Sequence, residues 1–322
     1  MPLDPQVALY LQQQAEMSME PGPELSLAEQ RRQAELVALE QAGTPAAVAA
    51  LVDRVIPGPG GDIPLRIYTP EGAGPFPVLV YFHPGGWVFG SIAGSDPVCR
   101  AIARQTPCLV VSVGYRLAPE HPFPAAPEDC YAAIKWVAEH AGEIQADAGR
   151  IAVGGESAGG NLAAAVSLMA RDRQGPALCL QVMIYGETAY YEPGTASYKT
   201  YAQGYNLTRD DMIWFWDQYL ARKEDATHPY ASPLYAASLS QLPPALIITA
   251  EYDPVRDEAE EYARRLQEAG VAVQLSRHQG MVHSFFRMFA VFERSKVALC
   301  EVTTALAAAF APVQDKHASP GR

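Results

Sequence analysis

The sequence has few cysteines, and their spacing gives no way to pair them. There are five, an odd number for a chain of 322 residues, and no two of them form a C-x-x-C motif. This argues against a disulfide framework and against a structural zinc site, both of which need paired or closely spaced thiols. We therefore predict that the chain binds no metal.

Long apolar runs and clusters of basic residues are also missing. No stretch reaches the roughly 18 apolar residues of a membrane-spanning helix, and no basic start is followed by the apolar stretch of a secretory signal. The chain has 36 acidic residues against 24 basic ones, a net charge of -12. We therefore expect a cytoplasmic protein with neither nucleic acid nor a membrane as partner.

The apolar content is that of a globular protein. Hydrophobic residues make up 49% of the chain and charged residues 19%, which argues against intrinsic disorder. The predicted strands are 64–70, 77–82, 108–113, 150–153, 179–185, 245–250 and 271–278. The main predicted helices are 97–105, 124–140, 158–173, 257–269 and 295–310. This alternation predicts an α/β fold, with a mostly parallel sheet and helices on both of its faces.

One segment is too long and too aromatic to be an ordinary connection. It covers residues 189–232 and includes the helical stretch DDMIWFWDQYL. We predict that it forms a helical cap with the N-terminal helices, over the carboxyl ends of the strands, where ligands bind in such sheets. The predicted parts are N-terminal cap helices at 1–50, an α/β core at 51–188 and 233–313, the cap insertion at 189–232, and a flexible tail at 314–322.

The strongest chemical signal is a G-x-S-x-G pattern centred on Ser157. It directly follows the predicted strand 150–153 and opens the predicted helix 158–173. A nucleophile elbow requires this strand–turn–helix setting, which exposes the serine hydroxyl at the top of the sheet. The alternative, a glycine-rich helix start with a capping serine, does not account for the residues that follow.

A serine nucleophile needs a base, and the base needs an acid that orients it. In this fold class the order along the chain is serine, acid, histidine. Asp253 and His283 each lie just past a predicted strand, where such a sheet presents its catalytic loops. We therefore assign the triad to Ser157, Asp253 and His283.

Other residues compete for both roles. His278 also lies at a strand end, but its position in the loop is less favourable than that of His283. Glu251 and Asp257 compete with Asp253 for the role of the acid. Asp257 stands at the start of the next predicted helix, where backbone N–H groups stabilise a carboxylate, so we interpret it as structural.

An oxyanion hole is predicted just after the strand 77–82. The sequence there is His83-Pro84-Gly85-Gly86, close to the HGGG motif of lipases and esterases. Small residues allow backbone N–H groups to point at a developing negative charge, and each such donor contributes about 3 kcal/mol to catalysis. The predicted donors are the N–H groups of Gly85, Gly86 and Ala158.

Together these residues resemble the hormone-sensitive-lipase-like esterases. The resemblance extends from about residue 52 to 308, and its blocks are YRLAPEHPFPAA, GESAGGNLA, EYDPVRDE and GMVHSFF. It implies an α/β-hydrolase fold with a two-part cap and the same three triad residues. It also implies a small-molecule ester of short to medium acyl chain as substrate, and no cofactor.

The sequence departs from that family at several positions. Pro84 replaces the first glycine of HGGG, and it has no N–H and a fixed φ. After the strand-end Tyr185 comes Gly186-Glu187, where the family usually has a proline and a small apolar residue. Glu187 therefore either brings a carboxylate near the acyl pocket or is a solvated loop residue. Gln279 and Met281 flank the glycine of the histidine loop and are further changes near the site.

We assign Trp87, Tyr185 and Glu187 to substrate binding. Three rival functions remain: an amidase or lactonase with the same triad, a ligand-binding or catalytically impaired protein on this fold, and a triacylglycerol lipase. The last is disfavoured because no apolar anchor is present. A homodimer formed through the edge strand 271–278 is a further expectation.

Overall fold

A computed structural model describes residues 2–17 and 25–312. At its centre lies an eight-stranded sheet in the order β1-β2-β4-β3-β5-β6-β7-β8. The strands are Ala50–Gly58 (β1), Gly61–Thr69 (β2), Phe76–Phe82 (β3), Leu109–Val113 (β4), Ala146–Glu156 (β5), Leu178–Ile184 (β6), Ala245–Tyr252 (β7) and Val273–Val282 (β8). β1 and β2 are antiparallel to each other, and β2 is antiparallel to β4. The other strand pairs are parallel, which confirms the predicted α/β sheet.

Helices cover both faces of this sheet. They are Pro5–Met17 (α1), Leu27–Ala42 (α2), Asp96–Gln105 (α3), Ala125–Glu139 (α4), Ala158–Asp172 (α5), Ala196–Thr200 (α6), Arg209–Tyr219 (α7), Arg256–Glu268 (α8) and Glu293–Ala309 (α9). α3 and α9 pack together on one face, and α4 packs beside α5 on the other. At the start of α2, Ser26 and Glu29 form a capping box in which each side chain bonds the backbone of the other.

The central strands present apolar residues to both faces of the sheet. Every residue of β3 and β4 is buried, as expected of parallel strands covered on both sides. Since successive side chains of a strand point to opposite faces, Val78, Val80 and Phe82 belong to the core under α4 and α5. Leu79 and Tyr81 belong to the core under α3 and α9.

β1 is the one strand of this sheet that the sequence did not predict. It lies at the edge, and most of its residues are exposed or half-buried. Val55 is 65% exposed, so the strand has no continuous apolar run to reveal it. The other seven strands were predicted, although β5 and β8 extend further than their apolar segments.

Both pieces of the predicted cap contact the carboxyl end of the sheet, one at the loop after β3 and the other near the end of β8. Phe215 of α7 lies against Gly86, and the N–H of Asp4, just before α1, donates to the carbonyl of Gly280 at 3.2 Å. The division into core and cap stays a prediction that these contacts support. The predicted tail at 314–322 lies outside the described residues. Among the described helices, none has the length and apolarity needed to cross a membrane.

Candidate active site

Ser157 occupies the turn between β5 and α5, in a conformation that side chains rarely adopt. Its φ is 52° and its ψ is -125°. The flanking glycines are required by close backbone contacts. A Cβ on Gly155 would lie 2.4 Å from the carbonyl oxygen of Phe82, and one on Gly159 would lie 2.0 Å from the same atom. The turn therefore has the shape that the G-x-S-x-G pattern predicts.

Three predicted residues meet at this turn in one chain of hydrogen bonds. Ser157 Oγ lies 2.9 Å from His283 Nε2, and His283 Nδ1 lies 2.7 Å from Asp253 Oδ2. The other oxygen of Asp253 accepts the N–H of Val255 at 3.0 Å. The three residues are 6%, 3% and 0% exposed in the order serine, histidine, aspartate. The three side chains are therefore shielded from bulk water, and the N–H of Val255 helps to fix the Asp253 carboxylate.

The charges around the Ser157–His283–Asp253 hydrogen bonds favour proton transfer to the imidazole. Burial opposes a positive charge on His283, but the adjacent Asp253 carboxylate outweighs it, so the pKa of His283 is raised. The carboxylate of Glu187 acts in the same direction. A raised pKa makes the imidazole a stronger base towards the hydroxyl proton of Ser157.

The residues that competed for these roles have other partners. His278 Nε2 lies 3.3 Å from the carboxylate of Glu301. Glu251 accepts the N–H of Gly280 at 2.8 Å. Asp257, in the first turn of α8, accepts the N–H of Ser197 at 2.8 Å. The structure thus brings Ser157, Asp253 and His283 together. His278, Glu251 and Asp257 are not part of this chain of hydrogen bonds.

The loop after β3 has the backbone that an oxyanion hole needs. Gly85 and Gly86 have φ values of 128° and 58°, in the region that favours glycine. A Cβ on Gly86 would lie 2.1 Å from the ring of Phe215. Among the described residues, no protein acceptor takes the N–H of either glycine. Ala158 is the first residue of α5, so its N–H has no partner within the helix.

This loop is anchored on both sides despite Pro84. Tyr115 donates its hydroxyl to the carbonyl of His83 at 2.8 Å. The Nε of Arg31 on α2 donates to the carbonyl of Val88, also at 2.8 Å. A second guanidinium nitrogen of Arg31 donates to the carbonyl of Ala118 at 2.8 Å. Proline therefore replaces a residue inside a loop whose ends are held by other parts of the chain.

Glu187 lies directly beside the nucleophile. Ser157 Oγ is 2.9 Å from Glu187 Oε1 as well as from His283 Nε2. The side chain is 1% exposed, which rules out the solvated loop residue that the sequence allowed. Burial raises the pKa of Glu187 to about 7, so the carboxyl and carboxylate forms are both populated near neutral pH.

The other two residues assigned to substrate binding pack closely against protein. Trp87 stacks on Tyr219 with ring centroids 4.1 Å apart and has no exposed surface. Tyr185 donates its hydroxyl to Glu156 at 2.6 Å, and its ring lies 4.7 Å from that of His283. Tyr185 thus buttresses the imidazole. The part that either residue plays in binding a substrate stays a prediction.

The changes beside Gly280 lie in different surroundings. Gln279 is exposed, whereas Met281 is fully buried in the core under α9. Neither has a hydrogen bond to the Ser157–His283–Asp253 chain among the described residues. Their influence on the pocket stays a prediction.

Two asparagine side chains that bond the backbone of the site were not predicted from the sequence. Asn206 donates to the carbonyl of His283 at 3.0 Å, and Asn161 donates to the carbonyl of Glu187 at 2.9 Å. Asn206 stands in an irregular segment and belongs to no motif. Asn161 lies within the GESAGGNLA block, which is the one signal that could have found it.

The described residues also offer no candidate metal centre. Within 2–17 and 25–312, no group of three or more His, Cys, Asp or Glu side chains could hold an ion. The cysteines at positions 99, 108, 130, 179 and 300 are free thiols.

Known proteins share this sequence and this architecture. The family described as the alpha/beta hydrolase fold matches residues 79–287. The carboxylic ester hydrolase LipN of Mycobacterium tuberculosis is 46% identical over 80% of this chain and 70% of its own length. The arylesterase of Saccharolobus solfataricus is 39% identical over 88% of this chain and 92% of its own. A solved structure of a hyperthermophilic esterase from Pyrobaculum calidifontis is 42% identical, covers 96% of this chain and 99% of its own, and superimposes with a TM-score of 0.90.

Proposed function

Since this chain belongs to the α/β-hydrolase-fold family, as its resemblance to hormone-sensitive-lipase-like esterases implied, we propose that it is a serine carboxylic ester hydrolase. The observation that carries the proposal is the 2.9 Å contact between Ser157 Oγ and His283 Nε2 on a strained turn. The 2.7 Å contact from the same imidazole to Asp253 supports it. The names of the similar proteins agree with this class of substrate.

The first half-reaction acylates the enzyme. Ser157 Oγ attacks the ester carbonyl carbon while His283 Nε2 takes its proton. Asp253 holds the Nδ1–H tautomer and stabilises the imidazolium. The N–H groups of Gly85, Gly86 and Ala158 bind the oxyanion. His283 then gives the proton to the leaving alcohol as the C–O bond breaks.

The second half-reaction releases the acid. Water attacks the acyl-enzyme while His283 takes one of its protons. Collapse of the tetrahedral intermediate returns a proton to Ser157 Oγ and frees the carboxylic acid. In these two half-reactions, His283 carries out every proton transfer.

We propose short to medium acyl chains as substrates. Ser157, His283 and Glu187 are almost completely covered in this conformation, at 6%, 3% and 1% exposure. The aromatic residues of α7 pack over the oxyanion loop, which supports the role of 189–232 as a cap that limits the acyl chain.

An inert ligand-binding protein is the alternative from another class. An intact Ser157–His283–Asp253 chain argues against it, because a receptor has no use for a polarised serine. An amidase or lactonase would use the same residues and is separated only by its substrates. The open edge of β8 is the surface proposed for a homodimer, which light scattering tests. Free thiols support a reducing compartment, and hence the cytoplasm.

Hydrolysis of p-nitrophenyl esters from acetate to palmitate tests the function. We expect activity on the shorter esters that is lost in Ser157→Ala. The matched control is Ser167→Ala, which should keep the activity. Ser167 is a buried α5 serine whose hydroxyl donates to the Ala163 carbonyl at 2.8 Å. If hydrolysis does not exceed the Ser157→Ala background at any chain length, the proposed esterase function is rejected.

A further inference from the structure

The mechanism above leaves the buried carboxyl of Glu187 without a task. In the resting site, its Oε1 can share the hydroxyl proton of Ser157. Once Ser157 is acylated, Oγ carries no hydrogen, so that donor is gone. Its Oε2 is buried and has no hydrogen-bond partner among the described residues. In the acyl-enzyme, the carboxyl therefore loses its Ser157 donor and keeps, among the described residues, the contribution of its own backbone N–H.

The backbone around Glu187 prevents the carboxyl from turning away. Asn161 holds the Glu187 carbonyl, and the N–H groups of Thr188 and Ala189 donate to Glu258 Oε1 at 2.9 and 3.3 Å. A Cβ on Gly186 would lie 2.8 Å from the backbone carbon of Gly160, so the turn is pressed against the start of α5. These contacts hold the backbone of Glu187, and its burial, at 1% exposure, keeps the carboxyl beside Oγ before any substrate arrives.

Leaving this group unpaired is costly. Its burial raises the pKa of Glu187 to about 7, yet no lysine or arginine of the described residues forms an ion pair with it. A positive charge on His283 opposes this shift in part, whereas the nearby Asp253 carboxylate raises the pKa of Glu187 further. A buried acceptor without a donor loses the free energy of desolvation. A substrate that brings a donor recovers it.

We propose, on the basis of the esterase function above, that Glu187 selects esters whose acyl group carries a hydrogen-bond donor on the carbon next to the carbonyl. The donor is an ammonium or a hydroxyl, as in α-amino and α-hydroxy acid esters. In the acyl-enzyme such a donor is three bonds from Oγ, a span close to that of a hydrogen bond. Glu187 Oε1 lies at the same range, 2.9 Å from Oγ.

Three methyl esters of nearly equal size test this selection. Methyl propanoate has no donor, methyl glycolate has a hydroxyl, and methyl glycinate has an ammonium. We would measure kcat/KM for each by pH-stat at neutral pH, for the wild type, Glu187→Leu and Glu187→Gln. Each value is divided by the propanoate value of the same protein. Comparing these ratios between proteins cancels the intrinsic reactivity of the esters and any general change in rate.

In Glu187→Leu, we expect both donor ratios to fall by about tenfold or more, as for loss of a hydrogen bond to a charged group. Glu187→Gln keeps an acceptor but no charge, so it should lose the glycinate preference and keep more of the glycolate preference. A fall in only one ratio would tell which donor the site takes.

Two outcomes reject the idea in different ways. Donor ratios in Glu187→Leu within about twofold of the wild type would overturn the selection by Glu187 while leaving the esterase intact. Absence of hydrolysis above the Ser157→Ala background for these three esters and for the p-nitrophenyl esters would instead remove the proposed function on which the selection rests. If Glu187→Leu does not fold, as judged by circular dichroism, the glycinate ratio of Glu187→Gln decides.

Discussion

Ser157 has a backbone conformation that suits glycine better than serine. Its φ of 52° and ψ of -125° place it in a region that costs other residues on the order of 1–3 kcal/mol. We predict that Ser157→Gly is more stable than Ser157→Ala by about 1 kcal/mol, after the entropy that glycine gains in the unfolded chain. Both variants lose the hydroxyl, so their difference isolates the strain. Urea unfolding of the two proteins measures it.

A larger free energy of unfolding for the alanine variant would show that the turn is not strained. The sequence predicted this turn because its signal is local: glycines at fixed distances from a serine, between a strand and a helix. It left the environment of Glu187 open. Whether that side chain is buried depends on how the loop packs against α5 and α8, and neither contact has a local sequence pattern.

At the scale of secondary structure, α2 supports the loop after β3, the proposed oxyanion hole, through Arg31. Its guanidinium donates to the carbonyls of Val88 and Ala118 and pairs with Glu120 at 2.7 Å. We predict that Arg31→Met lowers kcat about ten- to a hundredfold, since small displacements of catalytic groups have effects of that size. Steady-state kinetics with p-nitrophenyl acetate measures it. Arg32→Met, at an exposed position on the same helix, is the control.

An Arg31→Met enzyme with the kcat of the control would mean that the loop keeps its shape without α2. The sequence predicted helices within residues 1–50, and α2 lies there. It gave no hint of the contact between Arg31 and the loop. A lone arginine on a helix has the same pattern whether it points to solvent or to a backbone carbonyl.

For the whole molecule, the acidic residues buried near the site make stability depend on pH. Glu187 has a pKa of about 7 in the folded protein against 4.5 for its ordinary value. The folded state therefore binds its proton more tightly, and stability is lost as the pH rises from about 4.5 to beyond 7. We predict that Glu187→Gln is more stable than the wild type at pH 8, by up to about 3 kcal/mol.

The advantage of Glu187→Gln should shrink towards pH 5, where the wild-type carboxyl is protonated in the folded protein. Guanidinium unfolding at both pH values measures the two differences. A constant difference between pH 5 and 8 would contradict the raised pKa. Glu258→Gln is no substitute in this comparison, because Glu258 Oε1 accepts the N–H groups of Thr188 and Ala189, so its substitution would also alter the loop that carries Glu187.

Most of the fold could be predicted because its strands are buried on both faces and so appear as apolar runs. The three residues of the Ser157–His283–Asp253 chain could be proposed because chain order and strand ends place them at one edge of the sheet. The contacts of Asn206 and Arg31 could not, because they join segments far apart in sequence. Only the packed structure determines which segments meet.

The pocket is assembled from residues that leave the ribosome at very different times. Arg31 emerges early, Ser157 midway and His283 late. N-terminal segments generally begin to fold first during synthesis. Here, however, α1 packs on β8, and Asp4 bonds to the carbonyl of Gly280. Helix α1 therefore cannot dock until β8 has been synthesised. A nascent chain cannot complete the proposed catalytic pocket until translation has passed His283.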